Sequence, residues 1–221
     1  MAEQENFING QLVTHEGSTG KSEEELDTVS QSAKEEHEAQ LQELFDKMEV
    51  EDGADVQFPY LVMGAELYCS CGTHKRKLNL PECHGVYVSN HPIMAEEDCE
   101  VGDGKNIPSF GICQSEDNPV NKSFLEKAGD KIKEFFTGED TGEDADKIML
   151  KTEDGRNVKG YACIPCIVGK WKDVYETEKI ARNGTDGTCG GDRMSALTQR
   201  SFLVCANGGL IQPLTSGQEE E

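Results

Sequence analysis

The sequence is poor in positive charge, with 21 lysines and arginines against 43 acidic residues, a net charge of −22. Nucleic acids and anionic membrane surfaces are bound through lysine and arginine contacts with phosphates, so the imbalance argues against both. No stretch approaches the roughly 18 apolar residues of a transmembrane helix. Met1–Val13 lacks the basic start and the apolar run of a signal peptide. We therefore expect a chain made in the cytoplasm without a signal peptide, with no nucleic-acid partner and no membrane insertion of its own.

Apolar residues and recognisable catalytic motifs are also scarce. Only 35% of the 221 residues are hydrophobic and 6% are aromatic, too few for every segment to join one packed core. The sequence contains no glycine-rich phosphate loop before a helical pattern, no G-x-S-x-G and no H-E-x-x-H. These absences predict a protein that is not an enzyme and that carries extensions around one compact domain.

Acidic residues concentrate at the N-terminus, where residues 1–57 hold 16 acidic and three basic side chains. Ser22 with Glu25 three residues later is a capping box. An apolar stripe at three- and four-residue spacing then predicts a helix from about residue 23 to 50. Its members are Leu26, Val29, Ala33, Leu41, Leu44, Phe45 and Met48. Residues 1–57 are therefore predicted to be an acidic helical arm, either solvated and mobile or used to dock a partner.

From residue 58 onward, short apolar runs broken by glycine, proline and asparagine replace the helical pattern. This pattern predicts a mainly β domain of short hairpins over residues 58–214. Residues 121–159 interrupt it with a helix-like stretch and an acidic tract, predicted to be an inserted helix and an exposed loop. Residues 215–221 are predicted to be a loose acidic tail. The two β halves have similar local patterns, which indicates a degenerate internal repeat. An apolar run leads into Cys69 and Gly72 in the first half and into Cys205 and Gly208 in the second.

Nine cysteines, an odd number, offer two arrangements for a metal such as zinc. The local arrangement clusters in sequence but lacks paired zinc-finger spacing, and it consists of Cys69, Cys71, His74, Cys83, His84 and His91. The dispersed arrangement uses cysteines at or near the ends of separate predicted strands, namely Cys69, Cys113, Cys163 and Cys205. Buried thiols in a tight core, or two disulfides formed after export, are the alternatives.

Cys163 and Cys166 also fit the C-x-x-C pattern of thiol-redox enzymes. In such enzymes a helix begins at the motif, and its dipole lowers the thiol pKa. Here the following residues, 167–175, have the composition of a turn and a strand. The pattern keeps a thiol-redox or metal-binding enzyme as an alternative function.

Several ordered motifs between residues 60 and 212 resemble the PAAR-like family of bacterial proteins, which is similar to the PAAR-repeat spike tips of contractile injection systems such as type VI secretion and phage-tail-like machines. The motifs are GAELYCSCG at 64–72, NIPSFGIC at 106–113 with Asn118 and Pro119 beyond, C-x-P at 163–165 with Trp171, SALT at 195–198, and LVCANGGLI at 203–211. The Pro-Ala-Ala-Arg tetrapeptide that names the repeat is absent.

The resemblance implies a compact cone of short β-hairpins that caps a trimeric VgrG-like spike protein, with an effector or cargo held by the arm or the insert. It implies delivery outside the cell as part of the apparatus, with structural zinc near the point of the cone. Carried over to matching positions, the metal ligands would be Cys69, Cys113, Cys163 and Cys205, with His74, His84 and His91 as alternatives. A small secreted effector is a further alternative, although the arm and insert carry no catalytic constellation.

Overall fold

The fold is mainly β, with several small antiparallel sheets and, in the part described, one helix. The computed structural model describes residues 21–47, 57–118, 147–152, 154–181 and 193–218. The helix α1 is Glu23–Lys47. The strands are β1 (Glu66–Cys69), β2 (Arg76–Lys77), β3 (Tyr87–Val88), β4 (His91–Pro92), β5 (Ile148–Lys151), β6 (Asn157–Gly160), β7 (Tyr175–Ala181), β8 (Arg193–Ala196), β9 (Leu203–Val204) and β10 (Leu210–Pro213). The mainly β prediction is confirmed.

The largest sheet joins the two ends of the β region. Its order is β2-β1-β10-β9, and every pair is antiparallel. In β1, Leu67 lies opposite Pro213 and Cys69 lies opposite Ile211. A strand near the start of the domain is therefore paired directly with one near its end, so the predicted halves fold together.

Two further hairpins lie near the beginning of β1. The β3–β4 hairpin is joined to the segment just before β1 by a backbone hydrogen bond of 2.9 Å from Met63 N to Pro92 O. The β7–β8 hairpin is joined to the same segment by a hydrogen bond of 2.9 Å. Its donor is Leu61 N and its acceptor is the O atom of Leu197, the residue that follows β8. We call this region, built from residues 60–63, 85–95, 175 and 194–198, the hairpin end. Cys69 lies at the opposite end of β1.

One main core runs through the domain beneath these strands. Its fully buried members include Leu61, Leu67, Phe110, Ile167, Leu203 and Ile211. A separate small cluster at the hairpin end consists of Ile93, Ala95, Met194 and Ala196. Since the strands are short, much of the backbone pairing is made by isolated bridges between loops, such as Ile112 with Ala162.

Helix α1 begins with the predicted capping box. Ser22 N donates to Glu25 Oε2 at 2.8 Å, and Glu25 N donates to Ser22 Oγ at 3.3 Å. Three glutamates occupy its first turn, where they interact favourably with the positive end of the helix dipole. The capping box is confirmed, and the helix ends at Lys47, close to the predicted boundary.

One face of α1 packs on the β9–β10 edge of the large sheet. Leu26 and Ala33 are buried there, and the His37 ring stacks on Phe202 with centroids 4.3 Å apart. His37 Nδ1 also lies 2.6 Å from Gln212 Nε2 of β10. The described part of the arm is therefore docked on the chain's own domain rather than solvated, and it leaves an acidic face outward.

Two predicted boundaries need correction. Residues 148–160, assigned to the helical and acidic insert, form the β5–β6 hairpin, which turns around Gly155, where φ is +86°. The rest of the predicted insert, 121–146, lies outside the described residues. Residues 215–218, assigned to the loose tail, are held on the domain. Ser216 O accepts a 3.0 Å hydrogen bond from Val62 N, and Gln218 Nε2 donates to Tyr60 O. No helix in the described ranges has the length and hydropathy to cross a membrane.

Candidate functional site

Strand ends and turns deliver cysteines to one place at the end of the domain opposite the hairpin end. β1 ends at Cys69, and the chain turns at once, with Gly72 N donating to Cys69 O at 2.9 Å. The turn then pairs with the segment that carries Cys113, because Gly72 forms a bridge with Cys113 and Gln114 N donates to Cys71 O at 2.8 Å.

Cys113 and Cys163 lie on two adjacent antiparallel segments. Cys113 N donates to Tyr161 O at 3.0 Å, and Cys163 N donates to Gly111 O at 2.7 Å. Cys113 thus lies opposite Tyr161 and Cys163 opposite Gly111, so the two cysteines are diagonal neighbours on one face of the pair.

Cys205 joins the same region through the residues that follow Cys163. Ile167 forms a bridge with Cys205, and Cys166 N lies 3.4 Å from Cys205 Sγ. Ala206 N donates to Cys166 O at 2.7 Å, which fixes this contact at the backbone.

The predicted cysteines lie in one region. Cys69 and Cys205 are neighbours there, since a Cβ on Gly209 would lie 2.8 Å from Cys69 Sγ and 3.4 Å from Cys205 Cβ. Cys71 and Cys166 pack against the same core cluster, partly exposed. The structure therefore brings together the dispersed set and adds two members. We call Cys69, Cys71, Cys113, Cys163, Cys166 and Cys205 the cysteine cluster.

Sequence reasoning left Cys71 and Cys166 out of the dispersed set. Cys71 lies two residues from Cys69 in the turn after β1, and Cys166 lies three residues from Cys163 in a segment without regular structure. That spacing within the CSC and C-x-x-C patterns was the available signal. Cys71 was instead placed in the local metal arrangement, and Cys166 in the C-x-x-C redox pattern.

Three motif glycines make room for the cluster. A Cβ on Gly209 would lie 2.8 Å from Cys69 Sγ, and one on Gly72 would lie 2.6 Å from Phe110 Cβ. A Cβ on Gly111, whose φ is +81°, would lie 2.1 Å from His74 Nδ1. Side chains at these positions would collide with the cysteine-bearing turns, which gives the glycines of the repeated pattern a packing role.

The pKa values of Cys113, Cys163 and Cys205 are raised, and burial contributes to each shift. The hydrogen bond with Cys163, followed by burial, raises the pKa of Cys113 well above its ordinary value. Burial raises the pKa of Cys205 to about 12. For Cys163 the bond with Cys113 lowers the pKa, but the bond with Cys69 and burial outweigh it and raise the pKa to about 12. These shifts are opposite to those of a nucleophilic thiol.

The surroundings of the C-x-x-C motif also differ from those of a redox enzyme. Burial raises the pKa of Cys166. The residues after it form bridges and bends up to β7, so no helix follows the motif. The first turn of α1 lies nearby, where Leu26 belongs to the small cluster against which Cys166 packs, but this helix comes from a distant part of the chain.

The histidines of the local arrangement are dispersed. His74 borders the cluster beside Gly111, but its Nδ1 lies 2.8 Å from Thr73 Oγ1 and its Nε2 lies 3.1 Å from Lys151 O. His84 Nε2 lies 2.9 Å from Asp98 Oδ2, with both side chains mostly buried. His91 is in β4, opposite Val88 at the hairpin end. The local cysteine and histidine set is therefore not brought together.

A shallow cleft of about 450 Å³ surrounds the His84–Asp98 pair. Asp98 also accepts a 2.6 Å hydrogen bond from Ala95 N. Two of the acidic residues around it are paired, Glu97 with Lys170 at 2.6 Å and Glu100 with Lys105. Four carboxylates and two lysines line the cleft, and we assign it no chemistry.

The cysteine cluster matches zinc in its donor chemistry and differs from a zinc site in its arrangement. Thiolates are preferred zinc ligands, and four are enough. In the described residues, however, no three side chains of Cys, His, Asp or Glu are arranged to hold a metal ion. The role of Cys69, Cys113, Cys163 and Cys205 as metal ligands stays a prediction.

The fold and site define a small mainly β domain whose ends are tied together around buried thiols. Residues 61–218 match the family described as a domain of unknown function (DUF4280), and the chain belongs to this family. The match contains every strand of the structure and excludes α1. No curated protein and no solved structure matches the chain.

Proposed function

We propose that this protein is a non-enzymatic tip or adaptor that caps a trimeric VgrG-like spike of a contractile injection system. The observation that supports it best is the meeting of four sequence-distant segments at one end of the domain, around Cys69, Cys113, Cys163 and Cys205. The motifs that carry the PAAR-like resemblance supply these segments. A tip must keep its shape under load, and joining distant segments at one end of a small domain stiffens it.

The hairpin end is the surface we assign to the spike. Tyr87 of β3 is 57% exposed, and its neighbour Val86 and Tyr175 of β7 are also exposed. Aromatic residues that stand out from a surface are common anchors of protein interfaces. The β3–β4 ladder is only two residues long, so it forms a small, exposed hairpin at this end.

Cargo contacts would fall on other surfaces. The apolar face of α1 is used on the chain's own sheet, so an effector held by this helix would meet its acidic outer face. A basic segment on the effector is the matching chemistry.

The test mixes the full chain with the trimeric spike protein of the same genome and measures mass by light scattering after gel filtration. We expect one copy per trimer. Tyr87→Asp should weaken the complex at least tenfold, since it puts a charge in an apolar contact. Met149→Asp is the matched control, because Met149 is 65% exposed on the β5–β6 hairpin, near the cysteine end.

A failure to bind, or three copies per trimer, would contradict the proposal. Equal weakening by both variants would contradict the assigned surface. The competing thiol-redox enzyme predicts a Cys166 that iodoacetamide alkylates quickly at pH 7. The raised pKa of that thiol instead predicts alkylation slower than that of a free peptide cysteine.

A further inference from the structure

A cleft of about 430 Å³ lies between helix α1 and the β domain, beside the contact of His37 with Phe202. The helix contributes four side chains to its walls and the domain contributes four. They are Lys34, His37, Glu38 and Leu41 from the helix, and Lys172, Asp173, Arg200 and Phe202 from the domain. The cleft is therefore complete only while α1 is docked.

A short chain of hydrogen bonds ends at His37 with an unpaired donor. The Tyr68 hydroxyl donates to Gln212 Oε1, and Gln212 Nε2 donates to His37 Nδ1 at 2.6 Å. Because Nδ1 accepts, the neutral ring carries its proton on Nε2. The His37 side chain is only 5% exposed, and its Nε2 has no hydrogen-bond partner among the described residues. Asp173 Oδ2 is 3.7 Å away, too far to accept a hydrogen bond. A buried donor left in this way is costly, so the position is suited to an acceptor from outside the chain.

The charges around the cleft favour one added negative charge. Arg200 is held by Asp173, with Nε and Nη2 each 3.0 Å from Oδ2, and Lys34 pairs with Glu38 at 3.8 Å. The ammonium group of Lys172 has no partner in the part of the chain that the structure describes. One positive charge is therefore left over, in a chain whose net charge is −22. The two carboxylates on the wall disfavour a doubly charged anion such as phosphate.

We propose that this cleft binds a small organic carboxylate with an apolar body, such as an aliphatic or aromatic acid. The carboxylate accepts a hydrogen bond from His37 Nε2 and forms an ion pair with Lys172. The apolar body packs on the two apolar side chains of the walls, Leu41 and Phe202.

The ligand has to move part of the rim, because Nε2 is covered in the structure. Lys34 and Glu38, whose side chains are 57% and 63% exposed, are the rim side chains that can move aside. Since the ligand contacts the helix through His37 and the domain through Lys172, it binds the docked helix and not the released one. By linkage it stabilises the docking of α1, and docking strengthens binding by the same factor. This inference needs only the geometry of the cleft and does not rest on the proposed function.

The test uses the full chain with sodium hexanoate and sodium benzoate as probes, and with sodium chloride and inorganic phosphate at the same ionic strength as comparisons. NMR titration of the His37 ring resonances gives the dissociation constant, Kd. Hydrogen exchange measured by mass spectrometry follows α1. With either carboxylate at about ten times its Kd, amide exchange in the middle of α1 should slow about tenfold, because only the docked state binds. Exchange in the β3–β4 hairpin should stay unchanged.

Two lysine variants test the charge that we assign to the site. Lys172→Met removes the unpaired ammonium but retains an apolar stem, and it should raise Kd about tenfold. Lys170→Met is the matched control, because Lys170 pairs with Glu97 at 2.6 Å outside this cleft, and it should leave Kd unchanged.

Carboxylates that leave the His37 resonances unchanged would overturn the inference, because Nε2 would then be satisfied by water alone. Carboxylates that bind without slowing exchange in α1, or that bind more weakly than phosphate, would also overturn it. So would an equal rise in Kd in both lysine variants. If Lys172→Met does not fold, the His37 resonances and the exchange of α1 in the unaltered chain still decide the outcome.

Discussion

Replacing Gly209 by alanine tests how tightly the cysteine-bearing turns are packed. The added Cβ would lie 2.8 Å from Cys69 Sγ, about 1 Å inside ordinary contact distance. Gly209 does not have a positive φ, so the penalty comes from this contact and not from backbone strain. Overpacking of this kind destabilises the folded state by about 1–3 kcal/mol. Alanine also reduces the conformational entropy of the unfolded chain, which offsets about 0.4–1 kcal/mol of that loss. We expect Gly209→Ala to lower the free energy of unfolding by about 1–2 kcal/mol.

Urea denaturation under reducing conditions measures this change, and a double-mutant cycle assigns its cause. In a Cys69→Ala background the colliding sulfur is gone, so Gly209→Ala should cost close to nothing. Cys99→Ala is the matched control, since Cys99 is buried outside the cluster and should leave the cost of Gly209→Ala unchanged. An equal cost in all three backgrounds would refute the packing that we describe.

Three further predictions concern other parts of the domain. The pKa values of Cys163 and Cys205 are raised to about 12, so the folded state keeps protons that the unfolded state loses. Stability should be fully present below about pH 8.5 and fall by about 1.4 kcal/mol per thiol for each pH unit between about pH 9 and 12. Urea denaturation measures this, and a flat profile would contradict it. Ala33→Glu would bury a carboxylate between α1 and the sheet and should release the helix, seen as faster amide exchange, whereas Lys34→Glu on the exposed face should not. Trp171→Phe removes a buried 2.9 Å hydrogen bond to a backbone carbonyl and should cost about 1–3 kcal/mol by chemical denaturation; no measurable loss would argue against that bond.

Local patterns in the sequence were sufficient to predict helix α1. The capping box at Ser22 and the spacing of Leu26 and Ala33 depend on contacts within a few residues, and both are found. The docking of the helix was not predictable, because it depends on His37, a polar residue whose buried contacts with Phe202 and Gln212 come from distant strands.

The β5–β6 hairpin was missed because its flanking sequence is acidic and helix-like. Its strands are four residues each, too short for periodicity to outweigh the composition around them. The same limit applies to the C-terminal residues up to Gln218, whose hydrogen bonds with Tyr60 and Val62 leave no local pattern.

The convergence of the cysteines was predictable from their similar settings at strand ends. The chemistry of the cluster was harder to predict. A pattern of thiols followed by glycines indicates that the turns meet, but it does not distinguish sulfur atoms facing a metal ion from sulfur atoms facing one another. That difference depends on where each sulfur atom points, which long-range backbone pairing decides.

The most direct test of the proposed function is a cryo-electron microscopy reconstruction of the full chain bound to its trimeric spike. The account predicts one copy on the threefold axis, with Tyr87 and Tyr175 against the spike and the cysteine cluster at the far, free end. A complex in which the cysteine end is buried against the spike, or in which the chain binds the side of the trimer in three copies, would contradict it.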